Sequence, residues 1–513
     1  MSTFKNFGLL ILVSLFFAQT CFAKDVWIND SRKRFLDNTL QIYEINLRNF
    51  SAVDTNKNGI IDFDDGEESG NFLNAISRLD EIAESNINTI QLMPIMELGK
   101  TKALGTAGSL YAPLSFNKLN PQLSSPKTAL SIEDQAIKFI DEAHKRKIRV
   151  LVELPAFGSY DLFLKRPDLF LKGTNGQGVV PMNYSDVRIF NAGNESSVNP
   201  EVLSLYRNFT DYVISLGVDG ISANEPGTKP AKFWQDLISY SRKKDPQFLW
   251  IAETKDGGSN INQITETSID KLLTAGFDGY YGSFPDYREI KSAKEFMTFV
   301  KSALNMNTKY TEKKALVGAF VTHDSVSPIL DGNAYYIDSI FWLNAVLPIN
   351  SFMTDGMPSA DAFVYFWGNK KAHKTYTDNP NYFVHRGKMD IFNFSRRPGG
   401  PNSGLKNDFI TSNNVKFNIR KIYSAQDFKF EELRTTSSDV FAYTISGGNY
   451  KMIVYGNVKK DSVSEVKISV PGISTASFPI PIKINSIPKV EQGKLIANLL
   501  PYEIQILIIN TKK

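Results

Sequence analysis

The chain has 513 residues, of which 42% are hydrophobic and 22% are charged, a composition typical of a globular protein and not of a disordered or fibrous one. Its 58 Lys and Arg residues nearly balance its 54 Asp and Glu residues, and the formal net charge of +4 is too small to indicate a nucleic-acid partner. Because single hydrophobic cores stop growing beyond about 250–300 residues, more than one domain is expected.

Residues 1–23 have the parts of a secretory signal peptide. Lys5 gives a basic start, an apolar run extends from Gly8 to Ala18, and Ala23 supplies the small residue before a cleavage point. The run is too short to cross a bilayer, and no later stretch approaches 18 apolar residues, so no transmembrane anchor is expected. We therefore predict an exported protein, periplasmic or secreted. Cys21 is the only cysteine. The residues before it, 18–20, poorly match the sequence that precedes a lipid-modified cysteine, so lipid attachment at Cys21 is not expected.

From about residue 40 to 425, short apolar runs alternate with longer amphipathic ones. The apolar runs predict eight strands: Leu40–Asn46, Thr89–Met93, Arg149–Leu154, Gly220–Ala223, Phe248–Glu253, Gly279–Tyr281, Ala315–Val321 and Ile349–Met353. Helical spacing of apolar residues predicts helices at Asn71–Ser85, Ser131–Lys147, Val202–Leu216, Trp234–Lys244 and Ala293–Leu304. Alternating strands and helices predict a parallel sheet, and eight repeats predict a closed (β/α)8 TIM barrel, with an open doubly wound sheet as the alternative.

Two further units are expected beside the barrel. Residues 155–199 are too many for a bare connection between the third strand and its helix, and predict a small inserted subdomain. After residue 427 the sequence changes to short β-branched runs separated by Gly, Pro and Ser. These runs are Val440–Ser446, Tyr450–Tyr455, Val463–Val470, Pro481–Ile484 and Glu503–Ile509. They predict an antiparallel β-sandwich domain at residues 428–513 behind a barrel domain at residues 24–427.

Polar residues lie at the C-terminal ends of the predicted strands. This is the rim at which a TIM barrel places its catalytic and binding residues. The polar residues are Glu153, Asn224, Glu225, Glu253, His323 and Asp324. Acidic groups that meet from separate strands suit glycoside hydrolysis, which needs one carboxylic acid to protonate the leaving oxygen and one carboxylate to attack or to activate water. The structural alternatives are a paired Glu253 and a polar His323–Asp324 pair that only caps the barrel.

This arrangement resembles the α-amylase superfamily, glycoside hydrolase family 13, over most of residues 40–425 and in the same order. The motifs that carry the resemblance are Ile42–Ile45 with Arg48–Phe50, Ile90–Ile95, Gly108–Tyr111 through Lys118–Pro121, Gly217–Gly220, Ala252–Thr254 and Thr322–Asp324. The resemblance implies that Tyr111 stacks on the sugar at the cleavage point and that Glu253 is the acid/base. It further implies that His323 binds sugar and that Asp324 stabilises the transition state.

The sequence departs from the family where the chemistry is most demanding. The family's fourth strand reads Gly-Phe-Arg-x-Asp, whereas here Ser222 replaces the arginine and Asn224 replaces the nucleophilic aspartate. On the third strand, Glu153, Phe157 and Gly158 stand where the family has Asp, Asn and His. An amide cannot form the usual glycosyl ester, so little ordinary retaining hydrolysis is expected. Glu225 could replace the nucleophile only if the chain bends there, because successive strand residues point to opposite faces.

The loop after the first strand carries a second chemical pattern. Oxygen donors at alternate positions and a glycine for a tight turn suit Ca²⁺. The predicted ligands are Asp54, Asn56, Asn58, the carbonyl of Ile60, and Asp62. The segment also resembles the ion-binding loop that follows the first strand in some family members, and a solvated turn is the alternative.

The sequence therefore predicts an exported, α-amylase-like protein that acts on or binds an α-linked glucan or related oligosaccharide. Two functions stay open, an enzyme with altered chemistry and a non-catalytic glycan-binding or interaction protein. The residues at positions 222 and 224 favour the second, while Tyr111, Glu253, His323 and Asp324 favour sugar recognition. Because fold alone does not decide function, a barrel unrelated to sugars is the remaining alternative.

Overall fold

A computed structural model of the chain describes residues 27–53, 55, 66–103, 108–181, 184–255, 266–325, 327–331, 333–360, 403–474 and 479–511. Eight strands pair in parallel into a closed barrel, in which the eighth strand also pairs with the first. In chain order the barrel strands are Gln41–Ile45, Thr89–Leu92, Arg149–Leu154, Gly220–Asn224, Leu249–Glu253, Gly279–Tyr280, Ala315–Gly318 and Asn350–Thr354. The predicted closed barrel is confirmed, and the open sheet is wrong.

Helices follow the strands and cover the outside of the barrel. The longer ones are Ile132–Lys145, Pro200–Ser215, Ala231–Lys244, Ala293–Lys309, Ala334–Val346 and Ser403–Tyr423. The shorter ones are Ser31–Leu36, Leu47–Phe50, Phe72–Ala75, Leu79–Glu84, Tyr160–Lys165, Ile269–Ala275 and Pro328–Asp331. Ser131 caps its helix as expected, since its hydroxyl accepts from the backbone N–H of Asp134. The helix predicted over Asn71–Ser85 is instead divided by a 3₁₀ turn at Ile76–Arg78.

The period of two along each strand decides what fills the barrel. Apolar side chains form one interior cluster, which includes Ile42, Leu151, Leu249, Ile251, Ala315, Val317 and Phe352. On four of these strands, the inward position two residues further along carries a polar group. These groups are Glu44 after Ile42, Glu153 after Leu151, Glu253 after Ile251 and Thr354 after Phe352. An apolar floor therefore lies beneath a polar layer at the C-terminal rim.

The segment after the third strand forms a small unit on that rim. A two-stranded antiparallel sheet joins Gly158–Ser159 to Val187–Arg188, and its own apolar cluster buries Phe157 with Ala112 and Ile189. Phe157 thus packs this unit against the loop that carries residue 112. The predicted limits of this insertion, and those of the other domains, stay predictions.

The C-terminal part contains two antiparallel sheets. The five-stranded sheet contains Lys429–Glu432, Val440–Gly447, Tyr450–Asn457, Ile480–Lys483 and Ile504–Asn510, and the three-stranded sheet contains Val463–Ser469, Lys489–Glu491 and Lys494–Leu499. Residues of both sheets share one buried cluster, in which Ile453 and Leu507 meet Ile468 and Leu495. This face-to-face packing confirms the expected β domain.

Polar side chains of the helix Ser403–Tyr423 hold it against the barrel. They donate hydrogen bonds to carbonyl groups at the C-terminus of another helix. Lys416 Nζ donates to the carbonyls of Asn344 and Ile349, each at 2.8 Å, and the Tyr423 hydroxyl donates to the carbonyl of Val346 at 2.6 Å. These carbonyls lie at and beyond the C-terminus of Ala334–Val346, where intrahelical donors are lacking. The capping links the barrel to the chain that leads into the β domain.

Two of the predicted features lie outside the described residues. They are the signal peptide at residues 1–23 and the calcium ligands Asp54, Asn56, Asn58, Ile60 and Asp62. Among the residues that the structure describes, no helix is long and apolar enough to cross a membrane.

Candidate functional site

The polar layer at the rim brings together side chains from most of the barrel. Cα partners on neighbouring strands are Glu44 with Gln91, Glu153 with Ser222, and Asn224 with Glu253. Residues in register on parallel strands point to the same face, so these side chains share the interior of the rim.

An ion pair joins the first strand to the loop after the seventh. His323 Nδ1 lies 2.9 Å from Glu44 Oε1, and the Thr354 hydroxyl donates to Glu44 Oε2 at 2.9 Å. Both partners are fully buried. Burial alone would lower the pKa of His323, but Asp324, Glu44 and Glu153 raise it well above its usual value. Burial would likewise raise the pKa of Glu44, yet His323 holds it below its usual value, so the two groups are oppositely charged.

Tyr111 connects this ion pair to Glu153. Its hydroxyl donates to Glu153 Oε2 and lies 2.8 Å from His323 Nε2, while the two rings stack with centroids 5.2 Å apart. Gln91 Nε2 donates to Glu153 Oε1 and to the Tyr281 hydroxyl, each at 2.8 Å. Burial, followed by the nearby carboxyl group of Glu253, raises the pKa of Glu153 well above its usual value.

Glu253 has spare hydrogen-bonding capacity, as does Gln91, whose Oε1 is also buried without a partner among the described residues. The Oε2 of Glu253 is buried and has no hydrogen-bond partner among the described residues. Burial raises the pKa of Glu253 to about 8; His323 opposes the rise, and the acidic groups Glu44, Asp324 and Glu225 add to it. At neutral pH Glu253 is therefore a carboxylic acid, the protonation state that a general acid needs.

On the fourth strand, Asn224 lies where the resemblance predicts a carboxylate, and Ser222 lies where it predicts a cation. Asn224 is half-buried beside Glu253. Ser222 is fully buried, and its Oγ lies 3.5 Å from the Tyr281 hydroxyl. Asp324 is about half exposed, and its Oδ2 lies 3.6 Å from His323 Nε2. The structure thus places Tyr111, Asn224, Glu253, His323 and Asp324 on one rim.

The chain bends directly after Asn224. Glu225 has φ 42° and ψ 52°, in the left-handed region, and a 3₁₀ turn follows at Pro226–Thr228. Strand alternation therefore stops at Asn224, and the bend that a replacement of the nucleophile by Glu225 requires is present.

Sequence reasoning gave no role to Glu44, Gln91 or Tyr281. A signal was present for Glu44, because it is an ionisable residue two positions after the interior residue Ile42 on the same strand. Gln91 and Tyr281 carry no such signal, since either side chain fits a barrel interior for reasons of packing alone.

Two places could be considered for a metal. The ligand atoms of Glu44, Glu153 and His323 lie within 4.8 Å of one another, but hydrogen bonds among them and Tyr111 already use these atoms. The protonated network is thus complete without a cation. The ends of the predicted calcium loop are held together, because Val53 and Glu68 exchange backbone hydrogen bonds of 2.7 and 3.2 Å.

The raised pKa of Glu253 predicts a pH-dependent stability. Between its unfolded value of 4.5 and about 8, the folded state holds a proton that the unfolded chain has released. This contribution to stability is therefore lost as the pH rises through that interval. Urea unfolding at pH 5 and pH 8 measures the effect, and the pH dependence should be smaller in Glu253→Gln. An equal dependence in both proteins would contradict the assignment.

Comparison with known proteins agrees with the fold. No family model matches the sequence. The chain is 27% identical over 250 residues to the α-1,4-glucan:maltose-1-phosphate maltosyltransferase of Bifidobacterium animalis subsp. lactis, covering 46% of this chain and 32% of that protein. It is 25% identical over 286 residues to the chloroplastic isoamylase SU1 of Zea mays, covering 51% and 35%. The chain thus matches about a third of the length of these relatives.

Solved structures resemble most of the chain in fold. A maltogenic α-amylase from Thermotoga neapolitana superposes with a TM-score of 0.67 at 19% identity, covering 93% of this chain and 99% of that one. An α-amylase from Lactobacillus plantarum gives 0.67 at 16% identity, covering 92% and 99%. At these identities the likeness concerns the fold.

Proposed function

We propose that this chain, a divergent member of the α-amylase superfamily, binds an α-linked glucan at the rim of its barrel without cleaving it by the usual retaining route. The observation that carries the proposal is the pairing of Asn224 with Glu253 on neighbouring strands. Glu253 on the fifth strand is an acid that can donate a proton, whereas its neighbour Asn224 on the fourth strand has an amide.

The groups on the rim suit a sugar. Tyr111 is half-buried and offers a flat apolar face, which suits the two-sided polarity of a sugar ring. Neutral Glu253 can donate a hydrogen bond, and the exposed carboxylate of Asp324 can only accept them. The matched maltosyltransferase has α-1,4-glucan in its name, which supports this class of ligand.

The same geometry argues against a covalent glycosyl intermediate. Formation of that intermediate needs a carboxylate that attacks the anomeric carbon while an acid protonates the leaving oxygen. Asn224 cannot supply the carboxylate, and Ser222 cannot supply a cation to keep a nearby carboxylate ionised. An enzyme with altered chemistry is the second candidate, and the proton-donating state of Glu253 is the observation that favours it.

Glucan binding should be measurable and should depend on Tyr111. We expect Tyr111→Ala to weaken binding of maltoheptaose about tenfold, since an aromatic contact contributes about 0.5–1.5 kcal/mol beyond its buried area. Isothermal titration calorimetry across a glucan panel tests this, with release of reducing sugar followed in parallel. Tyr450→Ala, which removes an exposed tyrosine of the β domain, is the matched control. Wild type that binds no α-glucan, or that hydrolyses one rapidly, would contradict the proposal.

We also propose that the loop from Asp54 to Asp62 binds Ca²⁺. Its closed ends support this, and Glu67 accepts hydrogen bonds from the backbone N–H and hydroxyl of Thr55 at 2.8 and 3.0 Å. A ligand held only by the folded state at 100 times its Kd adds about 2.7 kcal/mol. Excess chelator should therefore lower the melting temperature by several degrees, and Asp54→Ala should abolish that sensitivity. An unchanged melting temperature of the wild type would exclude the site.

We also propose that the protein is exported, because residues 1–23 have the pattern of a secretory signal peptide. Expression of the full chain in a bacterial host should give a periplasmic or secreted product whose amino terminus follows Ala23. Retention of residues 1–23 on the recovered protein would contradict it.

A further inference from the structure

We propose that Glu225 is a further acidic side chain of the polar rim beside Glu253, a ligand-contacting carboxylate that accepts hydrogen bonds from sugar hydroxyls. The inference rests on the proposed glucan function, because it names a residue of the same site. It gives a role to a side chain that strand alternation would otherwise direct away from the barrel interior.

The backbone of Glu225 is the first observation. At φ 42° it lies in the left-handed region, which is unfavourable for a residue that has a Cβ and is neither Asn nor Asp. Such conformations persist only where the surroundings over-determine them, and they cluster at ligand sites. A glycine would adopt the same backbone conformation without strain. We therefore expect the glutamate side chain at this position to have a functional role.

The surroundings do over-determine the bend. The Thr228 hydroxyl and backbone N–H donate to the Glu225 carbonyl at 2.8 and 3.2 Å, and Trp234 Nε1 donates to the Pro226 carbonyl at 2.8 Å. From the other side, Thr267 donates its N–H to the Gly227 carbonyl at 2.9 Å and its hydroxyl to the carbonyl of residue 229 at 2.7 Å. The loop is therefore a fixed platform.

Lys229 ties this platform to the loop after the third strand. Its Nζ donates to the carbonyl of Ala156 at 2.9 Å and lies 4.9 and 5.8 Å from the ring centroids of Tyr206 and Trp234. Burial lowers the pKa of Lys229 to about 7, and the negative charge of Glu225 opposes that fall. Lys229 thus joins the loop after the fourth strand to the loop after the third strand.

The position of Glu225 relative to Glu253 is the second observation. Asn224, the preceding residue, is the Cα partner of Glu253, and the half-buried Glu225 follows at the bend. The charge of Glu225 contributes to the raised pKa of Glu253. An acceptor-only carboxylate beside a carboxylic acid that donates matches a sugar, whose hydroxyls both donate and accept.

The test uses two substitutions with different consequences. Glu225→Gln should lower the pKa of the Glu253 carboxyl, followed by NMR with ¹³C-labelled glutamate and assigned with Glu253→Gln. It should also weaken maltoheptaose binding about tenfold, as expected for loss of a hydrogen bond to a charged group. Glu225→Gly should match or exceed the wild-type melting temperature, because glycine suits the bend, and should bind as weakly as Glu225→Gln.

Gln492→Gly is the matched control, since Gln492 also has a left-handed backbone, φ 48°, in an exposed turn of the β domain. It should match or exceed the wild-type melting temperature without changing glucan binding. An unchanged Glu253 pKa in Glu225→Gln, or full glucan binding by Glu225→Gly, would overturn the inference.

The outcomes also separate this inference from the proposed function. A shifted Glu253 pKa in a protein that binds no glucan would support the placement of Glu225 and overturn the glucan function. Glucan hydrolysis that survives Asn224→Ala but vanishes with Glu225→Gln would support that placement too, and would overturn the proposal that the protein does not cleave its ligand.

Discussion

Asn224→Asp is expected to give the protein retaining glucan hydrolysis, an activity that we propose the native chain lacks. The substitution puts a carboxylate on the fourth strand directly beside Glu253, whose raised pKa keeps it a proton donor at neutral pH. A nucleophile and an acid on neighbouring positions are the two groups that double displacement requires. Initial rates on activated and natural α-glucans, with the anomeric configuration of the product followed by NMR, measure the gain.

An arginine at position 222, where the resemblance implies one, should increase the rate of hydrolysis further, but only if there is space for its side chain. Ser222 is fully buried with the Tyr281 hydroxyl 3.5 Å from its Oγ, so an arginine side chain needs space that Tyr281 occupies. We expect Ser222→Arg with Asn224→Asp to exceed Asn224→Asp alone only when Tyr281 is also replaced by a smaller residue. The cation then keeps the introduced carboxylate ionised.

The control for the new activity is the acid. Glu253→Gln in the Asn224→Asp background should lower the rate by about 10²–10⁴-fold, the usual contribution of general acid–base catalysis. Activity in the Asn224→Asp protein that is unaffected by Glu253→Gln would contradict the assignment of the acid. Rapid retaining hydrolysis by the wild type would contradict the premise that Asn224 blocks the reaction.

Glu44→Ala is expected to cause one of the largest losses of stability in the protein. It removes one partner of a buried ion pair and leaves His323 charged, fully buried and without the acceptor at its Nδ1. Breaking such a pair costs about 3–5 kcal/mol. Chemical denaturation measures the change in the free energy of unfolding. Asp37→Ala, which breaks exposed pairs with Lys33 and Lys313, is the control and should cost about 0–1 kcal/mol for each pair.

The pH dependence identifies the ion pair as the cause. The folded pKa of His323 lies well above its unfolded value of 6.5, so its contribution is full below pH 6.5 and is lost as the pH rises through the folded value. The folded pKa of Glu44 lies below 4.5, so its contribution is full above pH 4.5 and is lost as the pH falls. The deficit of Glu44→Gln relative to wild type should be greatest between these limits and shrink at alkaline pH. A deficit independent of pH would indicate lost packing instead.

The strands and the polar positions at their ends could be predicted because both depend on local periodicity. Arg149–Leu154 was predicted with its observed limits, and an inward glutamate two residues after an apolar interior residue follows from the period of two. Glu253 was identified because it ends an otherwise apolar strand at the rim of the predicted barrel. The less accurate limits fall at strand ends, as at Ala315–Gly318, which is three residues shorter than predicted. There the chain turns away from the sheet, and the apolar residues that follow are buried by the rim.

The protonation states and the pairings were decided only by the tertiary structure. Glu44 and His323 are 279 residues apart in the chain, and closure of the barrel alone brings the eighth strand's Thr354 to the same carboxylate. The neutral state of Glu253 depends on desolvation by the assembled rim, and the left-handed bend at Glu225 depends on Trp234 and Thr267, which reach it from other segments. Periodicity is encoded among neighbours in sequence, whereas burial, charge and strain are set by residues that folding brings together.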